Sequence, residues 1–365
     1  MTTKTRQITK QIFAKAETVG RPLKFMELCG THSRSIARHG IKQILPSNIT
    51  LVTGPGCPVC VTDQEDIDII VGLAANKIPV AVYGDTVNVP GTVSSLEKER
   101  RRGADVNIVY DTTQALVLAK VKPGLVFFGL GFETTAPMTA WAIKNGLIAY
   151  SAHKLFPPAM AALLAHKAIK IDGFINPGHV SAIIGTKVYE QFKVPQVIAG
   201  FSGLDVLKAI DMLLSQIIAR NPKVENEYGR VVKPEGNGAA RDLIAEVFRI
   251  TDARWRGLGV IAASGLKIKK KYREQDAEFV HHDLIGKIKS KIKIKPSACR
   301  CGEILQGLIE PRACPLFGKA CTPDTPYGAC MVSVEGACHI EMTAKLLFDI
   351  MPKSNFKRPL KSTGI

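Results

Sequence analysis

Nine cysteines carry most of the reactive chemistry available to this chain of 365 residues, and they fall into two groups. Cys29, Cys57 and Cys60 come early; Cys299, Cys301, Cys314, Cys321, Cys330 and Cys338 come late; the long stretch between them holds none. Cys57 and Cys60 lie in GPGCPVC (54–60), a tight loop bracketed by glycine and proline. A C-x-x-C pair that opens a helix can cycle between dithiol and disulfide, because the helix N-terminus favours thiolate. The same spacing can be half of a zinc knuckle, but a zinc ribbon needs a second knuckle and the sequence has none. In the late group, Cys299-x14-Cys314-x6-Cys321-x16-Cys338 is wide and irregular and leaves Cys301 and Cys330 over. Six thiols in a glycine- and proline-rich segment with few apolar residues need a staple other than burial, and the spacing leans towards a four-iron cluster over zinc. Six candidates compete there for four ligand places.

The elements that must position these groups alternate. Residues 23–28 (LKFMEL) read as a strand that ends at CGTH (29–32), followed by a helix to about residue 44. Residues 49–53 (ITLVT) form the next strand and end at the C-x-x-C loop; Thr62 with Glu65 three residues on has a capping-box pattern. Residues 78–83 and 106–110 supply further strands, and the pattern restarts at 125–128 (LVFF), 147–150, 173–175 and 196–199, closed by a helix from about 204 to 219. Strand–helix alternation of this kind predicts α/β architecture: two parallel-sheet α/β domains, at 21–122 and 123–222, facing a cleft. In open parallel sheets ligands bind at the carboxyl ends of strands. Cys29, Cys57 and Cys60 all follow strands and are expected on one wall of that cleft. Glu133, in GLGFETTAP (129–137), and His179, in NPGHV (176–180), also follow strands. The first loop lacks the glycines of a dinucleotide fingerprint and the Gly-Lys-Thr of a P-loop, so turn chemistry and ligand binding both remain open for it. Residues 1–20 and 223–365 are expected to form the third, mostly helical and loop-rich, iron–sulfur domain, with a mobile basic tail at 354–365.

Composition narrows the classes. The net charge is +17, much of it from the lysine-rich run 265–295. Such a run can bind nucleic acid, but no nucleic-acid motif or aromatic platform accompanies it, so a solvated lysine face is the expectation. No apolar run is long enough for a membrane span, and the first twenty residues lack the pattern of a secretory signal. A cytoplasmic protein without structural disulfides is expected, which leaves metal binding and thiol chemistry for the cysteines.

The motifs resemble one family in order along nearly the whole chain. CGTH (29–32), GPGCPVC (54–60), GDTVNVPG (84–91), GFETTAP (131–137), PGHVSAIIG (177–185) and CPLFGKACTPDTPYGACMVSVEGAC (314–338) all resemble blocks of HypD, the hydrogenase formation or maturation proteins. The resemblance implies two α/β domains and a third carrying a [4Fe–4S] cluster, held here by Cys299, Cys314, Cys321 and Cys338. It implies assembly of the Fe(CN)2CO centre of nickel–iron hydrogenases together with the small chaperone HypC. Cyanide would come from HypE, with HypF upstream. Cys29 would be a ligand of the iron being assembled, shared with a HypC cysteine. Cys57 and Cys60 would be the redox-active pair between cluster and iron, and His32, Glu133 and His179 would line the cleft and orient ligands or protons. A plain iron–sulfur-dependent thiol–disulfide oxidoreductase is the competing reading; it uses the pair and the cluster but has no need of Cys29.

Overall fold

The computed structural model describes residues 3–293 and 297–350, and the side chains through residue 344. The basic tail at 354–365 lies outside the described residues. Among those residues the strands are β1 (Leu23–Glu27), β2 (Ile49–Thr53), β3 (Val80–Tyr83), β4 (Val106–Val109), β5 (Val126–Gly129), β6 (Ile148–Ser151), β7 (Gly173–Pro177), β8 (Gln196–Ala199), β9 (Val224–Asn226), β10 (Phe248–Trp255) and β11 (Gly259–Ile268). They build two parallel sheets and one antiparallel ribbon, so the α/β class holds.

Sheet membership does not follow the contiguous division at residue 122. The first sheet has the order β2-β1-β7-β8-β9 and the second β4-β3-β5-β6. The second sheet is therefore inserted between β2 and β7 of the first. Apart from β9, the strands of both sheets carry apolar residues on both faces, and periodicity then reports a strand without reporting the sheet it joins. In the first sheet Leu23, Phe25, Leu51, Ile175 and Val197 face one core, while Met26, Leu28, Val52, Phe174 and Ile198 face another. That second core is shared with Val82, Val126 and Phe128 of the second sheet and with most of the late cysteines.

Two further expectations change. The helix Thr3–Val19 belongs with the first sheet: Ile12 and Ala16 are buried against Val206 and Ile210 of the helix Gly203–Ile218, and Lys15 pairs with Asp211 at 2.7 Å. The segment after residue 222 is also less purely helical than its lysines suggested. β9 completes the first sheet, and β10–β11 form a long ribbon over the edge of the second. The ribbon's outward residues, Arg249, Ile250, Val260 and Lys267 among them, blur the two-residue alternation by which it could have been read.

Both sheets reverse direction at an equivalent place. After β1 the chain crosses to β2 on one side, and after β7 it crosses to β8 on the other. After β3 it crosses to β4, and after β5 to β6, again in opposite senses. The loops that follow β1 and β7, and those that follow β3 and β5, thus splay apart and open a crevice at each switch point, where ligands of open α/β sheets bind.

Candidate functional site

The crevice of the first sheet gathers the early thiols and both histidines. Cys29 stands just before the helix Gly30–Arg38, in extended conformation, and its side chain caps no backbone N–H. A serine or aspartate at such a position would spend its side chain on the cap; the Cys29 sulfur is left over. The backbone is fixed instead by Glu27, whose Oε2 accepts the Cys29 N–H at 3.0 Å while its Oε1 accepts the Ser33 hydroxyl. Gly30 N–H donates to Gly56 O at 3.2 Å, and a Cβ on Gly56 would overlap the Cys29 backbone. Glycine at 56 therefore lets the C-x-x-C loop lie directly on the Cys29 turn.

The next residue, Cys57, caps the short turn Pro58–Val61, its sulfur accepting the Cys60 N–H at 3.2 Å. Cys57 and Cys60 form a disulfide with Cα atoms 5.3 Å apart. Thr62 does not open the following helix. It ends this turn, its hydroxyl donating to Pro58 O, and Asp63 caps Gln64–Ala75.

His32 and His179 both stack on Phe201, a residue in no motif of the chain. The His32 ring lies 4.9 Å from the Phe201 ring and the His179 ring 3.9 Å from it, both stacked. His32 Nε2 carries the proton, with Ala199 O at 3.2 Å and Gly200 O at 3.1 Å as acceptors. Its Nδ1 is buried without a partner. Burial, offset in part by those carbonyls, pushes its pKa down to about 4, so the ring is neutral near pH 7. Burial, with the charges of Glu335 and Glu27 adding to it, pushes the Cys29 thiol up to about 12. Without a cation Cys29 is a neutral thiol; a soft metal ion would supply the missing positive charge.

Glu133 lies elsewhere, at the switch point of the second sheet. Its Oε1 accepts the Phe156 N–H at 3.0 Å, its Oε2 is buried without a partner, and burial lifts its pKa to about 7. Tyr189 stands between the two crevices, since the charges of both Glu133 and Cys29 raise its already burial-shifted phenol. Across the way, Asp85, after β3, accepts the Ser333 hydroxyl at 3.0 Å.

The late cysteines are close to one another and to this site. Cys314, Cys321 and Cys338 are buried and Cys299 is half-buried. Burial pushes Cys299 up to about 11, and the charges of Cys301, Cys314 and Cys321 add to it; Cys338 is raised by the same causes. Within this group Cys301 and Cys330 have sulfurs 2.7 Å from each other, Cys301 lowered by the contact and Cys330 raised. Among the described residues no three of these side chains form a ready ligand set. The donor chemistry nevertheless fits a cluster. Thiols whose charges repel one another would be neutralised by an iron–sulfur core.

Three contacts bind this segment to the crevices. The helix Ala329–Val332 packs on the C-x-x-C turn Pro58–Val61. The Thr31 hydroxyl donates to Glu335 Oε1 at 2.7 Å, so the turn at 333–335 touches both Asp85 and the Cys29 loop. Arg256, at the tip of the ribbon, donates to Thr62 O at 2.9 Å and to Gln64 Oε1 at 2.8 Å, and its charge reaches Cys301. Glu27, Glu335 and Arg256 had no local signature. Only Glu27 could have been suspected, as an acidic residue at the buried end of a strand.

Comparison with known proteins agrees along the chain. The family model described as HypD, hydrogenase formation hypA family, matches residues 3–345. A putative hydrogenase expression/formation protein of Methanocaldococcus jannaschii is 45% identical over 331 residues, 87% of this chain and 91% of that one. The hydrogenase maturation factor HypD2 of Bradyrhizobium diazoefficiens is 43% identical over 359 residues, covering 92% and 93%. The hydrogenase maturation factor HypD of Escherichia coli is 44% identical over 336 residues, covering 88% and 89%.

Proposed function

Because the chain belongs to the HypD family of hydrogenase maturation factors, we propose that it works with HypC as the scaffold on which the Fe(CN)2CO centre of a nickel–iron hydrogenase is assembled. Cyanide arrives through HypE, and the site of action is the cytoplasm. The iron is cargo. Cys29 offers it a thiolate, and Glu27 fixes the Cys29 backbone at the start of the helix Gly30–Arg38. His32 keeps a neutral ring whose Nδ1 can accept a proton or a hydrogen bond within the buried crevice. Cys57 and Cys60 cycle between disulfide and dithiol, taking up two electrons and two protons in the reducing direction. Cys299, Cys314, Cys321 and Cys338 would hold a [4Fe–4S] cluster, which supplies one-electron chemistry when bound. Among the described residues no helix is long and apolar enough to cross a membrane.

The observation that carries this reading is the contact of the Cys29 turn with the C-x-x-C loop, Gly30 N–H to Gly56 O at 3.2 Å. A simple dithiol oxidoreductase has no use for a third, capping-free thiol beside its pair. Infrared spectroscopy of the anaerobically purified complex with HypC tests it. Bands of iron-bound cyanide and carbon monoxide that vanish in Cys29→Ala are expected. Their absence from the wild-type complex, with the dithiol still cycling, would favour the oxidoreductase.

A further inference from the structure

The lysine-rich run has no part in the cysteine site, and its fold gives it a different use. Its core is the helix His282–Lys291, which lies along Gln64–Ala75 so closely that a Cβ on Gly72 would come within 2.8 Å of Ile288. Beside this contact an apolar groove of about 270 Å³ opens, floored by Val71, Ala75, Leu284 and Ile288 and flanked by Val93. Val93 is 88% exposed, the most exposed large apolar side chain among the described residues. Its loop is firmly tied. Thr92 N–H and hydroxyl donate to Asp68 at 2.6 and 2.5 Å, Gly91 N–H donates to Ser94 O at 2.8 Å, and a Cβ on Gly91 would collide with the Asp68 carboxylate. An apolar residue held in water on a rigid tip has paid its ordering entropy before any partner arrives.

Charge selects the occupant. The two acidic residues that line the groove are satisfied within the protein, Asp68 by Thr92 and Glu99 by Ser94 and Arg102. Lys287 and Lys291 are exposed on its rim, one helical turn apart, and among the described residues no carboxylate pairs with either. No aromatic ring lines the groove, so it offers nucleotides no stacking platform. We propose that this groove docks an amphipathic acidic helix of a partner protein, its apolar stripe against Val93 and Ile288 and its carboxylates against Lys287 and Lys291.

The full-length protein can be titrated by fluorescence anisotropy with a labelled designed helix of glutamate and leucine in amphipathic register. The controls are the same helix with lysine for glutamate, and a single-stranded DNA. So small a groove should bind the acidic helix with a Kd on the order of 10–100 µM, weakening several-fold as salt rises. Val93→Asp, at a surface position that folding does not need, should weaken it about tenfold. The double variant Lys287→Glu/Lys291→Glu should lose the acidic helix and gain the lysine one. Equal binding of both helices, indifference to Val93→Asp, or displacement of the helix by DNA would overturn the proposal. The test touches no cysteine, so its failure would leave the maturation reading intact.

Discussion

The two parallel sheets share the order of four strands, with β9 additional in the first, and differ in what they carry at the switch point. The crevice between β1 and β7 holds a thiol, two imidazoles and the phenyl ring between them; the crevice between β3 and β5 holds Asp85 and Glu133 and no sulfur. Burial pushes Cys29 up to about 12 and His32 down to about 4, which leaves both neutral near pH 7, and lifts Glu133 to about 7. The consequence differs. A soft cation bound at Cys29 would be met by its thiolate. A lone protonated carboxyl is a store for one proton. The turn at 333–335 reaches both crevices, so one segment can report on each. The same topology thus supports a ligand site and a proton site, and the loops alone decide which.

The comparison predicts unequal losses. The largest falls on Cys29→Ala: hydrogenase maturation in cells should be abolished while the brown cluster absorption of the purified protein persists. Active hydrogenase from that variant would remove the first crevice from the iron chemistry. Cys57→Ala and Cys60→Ala should also block maturation, yet leave Cys29 able to retain iron in the HypC complex, visible by infrared. Thiol alkylation of the wild type with and without reductant should show this pair cycling and Cys29 not. Phe201→Ala comes next. It removes the ring on which His32 and His179 both stack, and loss of this half-buried phenyl should cost about 1–2 kcal/mol. Urea unfolding measures that cost, and maturation should fall several-fold without vanishing. Full activity in a protein so destabilised would mean that the paired imidazoles are structural.

Strands and helices of both sheets were readable from apolar runs and turn residues, and the carboxyl-end rule brought Cys29, Cys57 and Cys60 to one wall. Sheet membership was not readable. β1 and β2 are as apolar as β3 and β5, and nothing in 54–80 signals that the chain leaves one sheet to build another. His179 could join Cys29 only because β7 returns beside β1, a pairing across more than a hundred residues. Glu133 looked equivalent to His179 by the same rule and stands in the other crevice. Phe201 and Glu335 act through contacts with residues far away in sequence, for which a single sequence carries no signal.

Glu133→Gln should have the smallest effect, and it separates the crevices most cleanly. The carboxyl has an ordinary value of 4.5 and is lifted by burial to about 7 in the folded protein. Below about pH 4.5 it is protonated in both folded and unfolded states and costs nothing. As the pH rises towards 7 the unfolded chain releases the proton and the folded one keeps it. The folded state therefore loses stability across that window and stays lower above it, by about 3 kcal/mol for a shift of this kind. Glutamine retains an oxygen for the Phe156 N–H and cannot ionise. Glu27, also lifted to about 7, titrates in the same window but is present in both proteins, so it cancels in the difference. Urea unfolding at pH 4.5, 6 and 8 should show the variant gaining on the wild type as the pH rises. A difference that does not change with pH would mean that Glu133 is ionised and paired. Maturation should fall no more than about twofold if the second crevice only stores a proton. A collapse in maturation with unchanged stability would place Glu133 against the iron or its ligands, and the two crevices would then form one site.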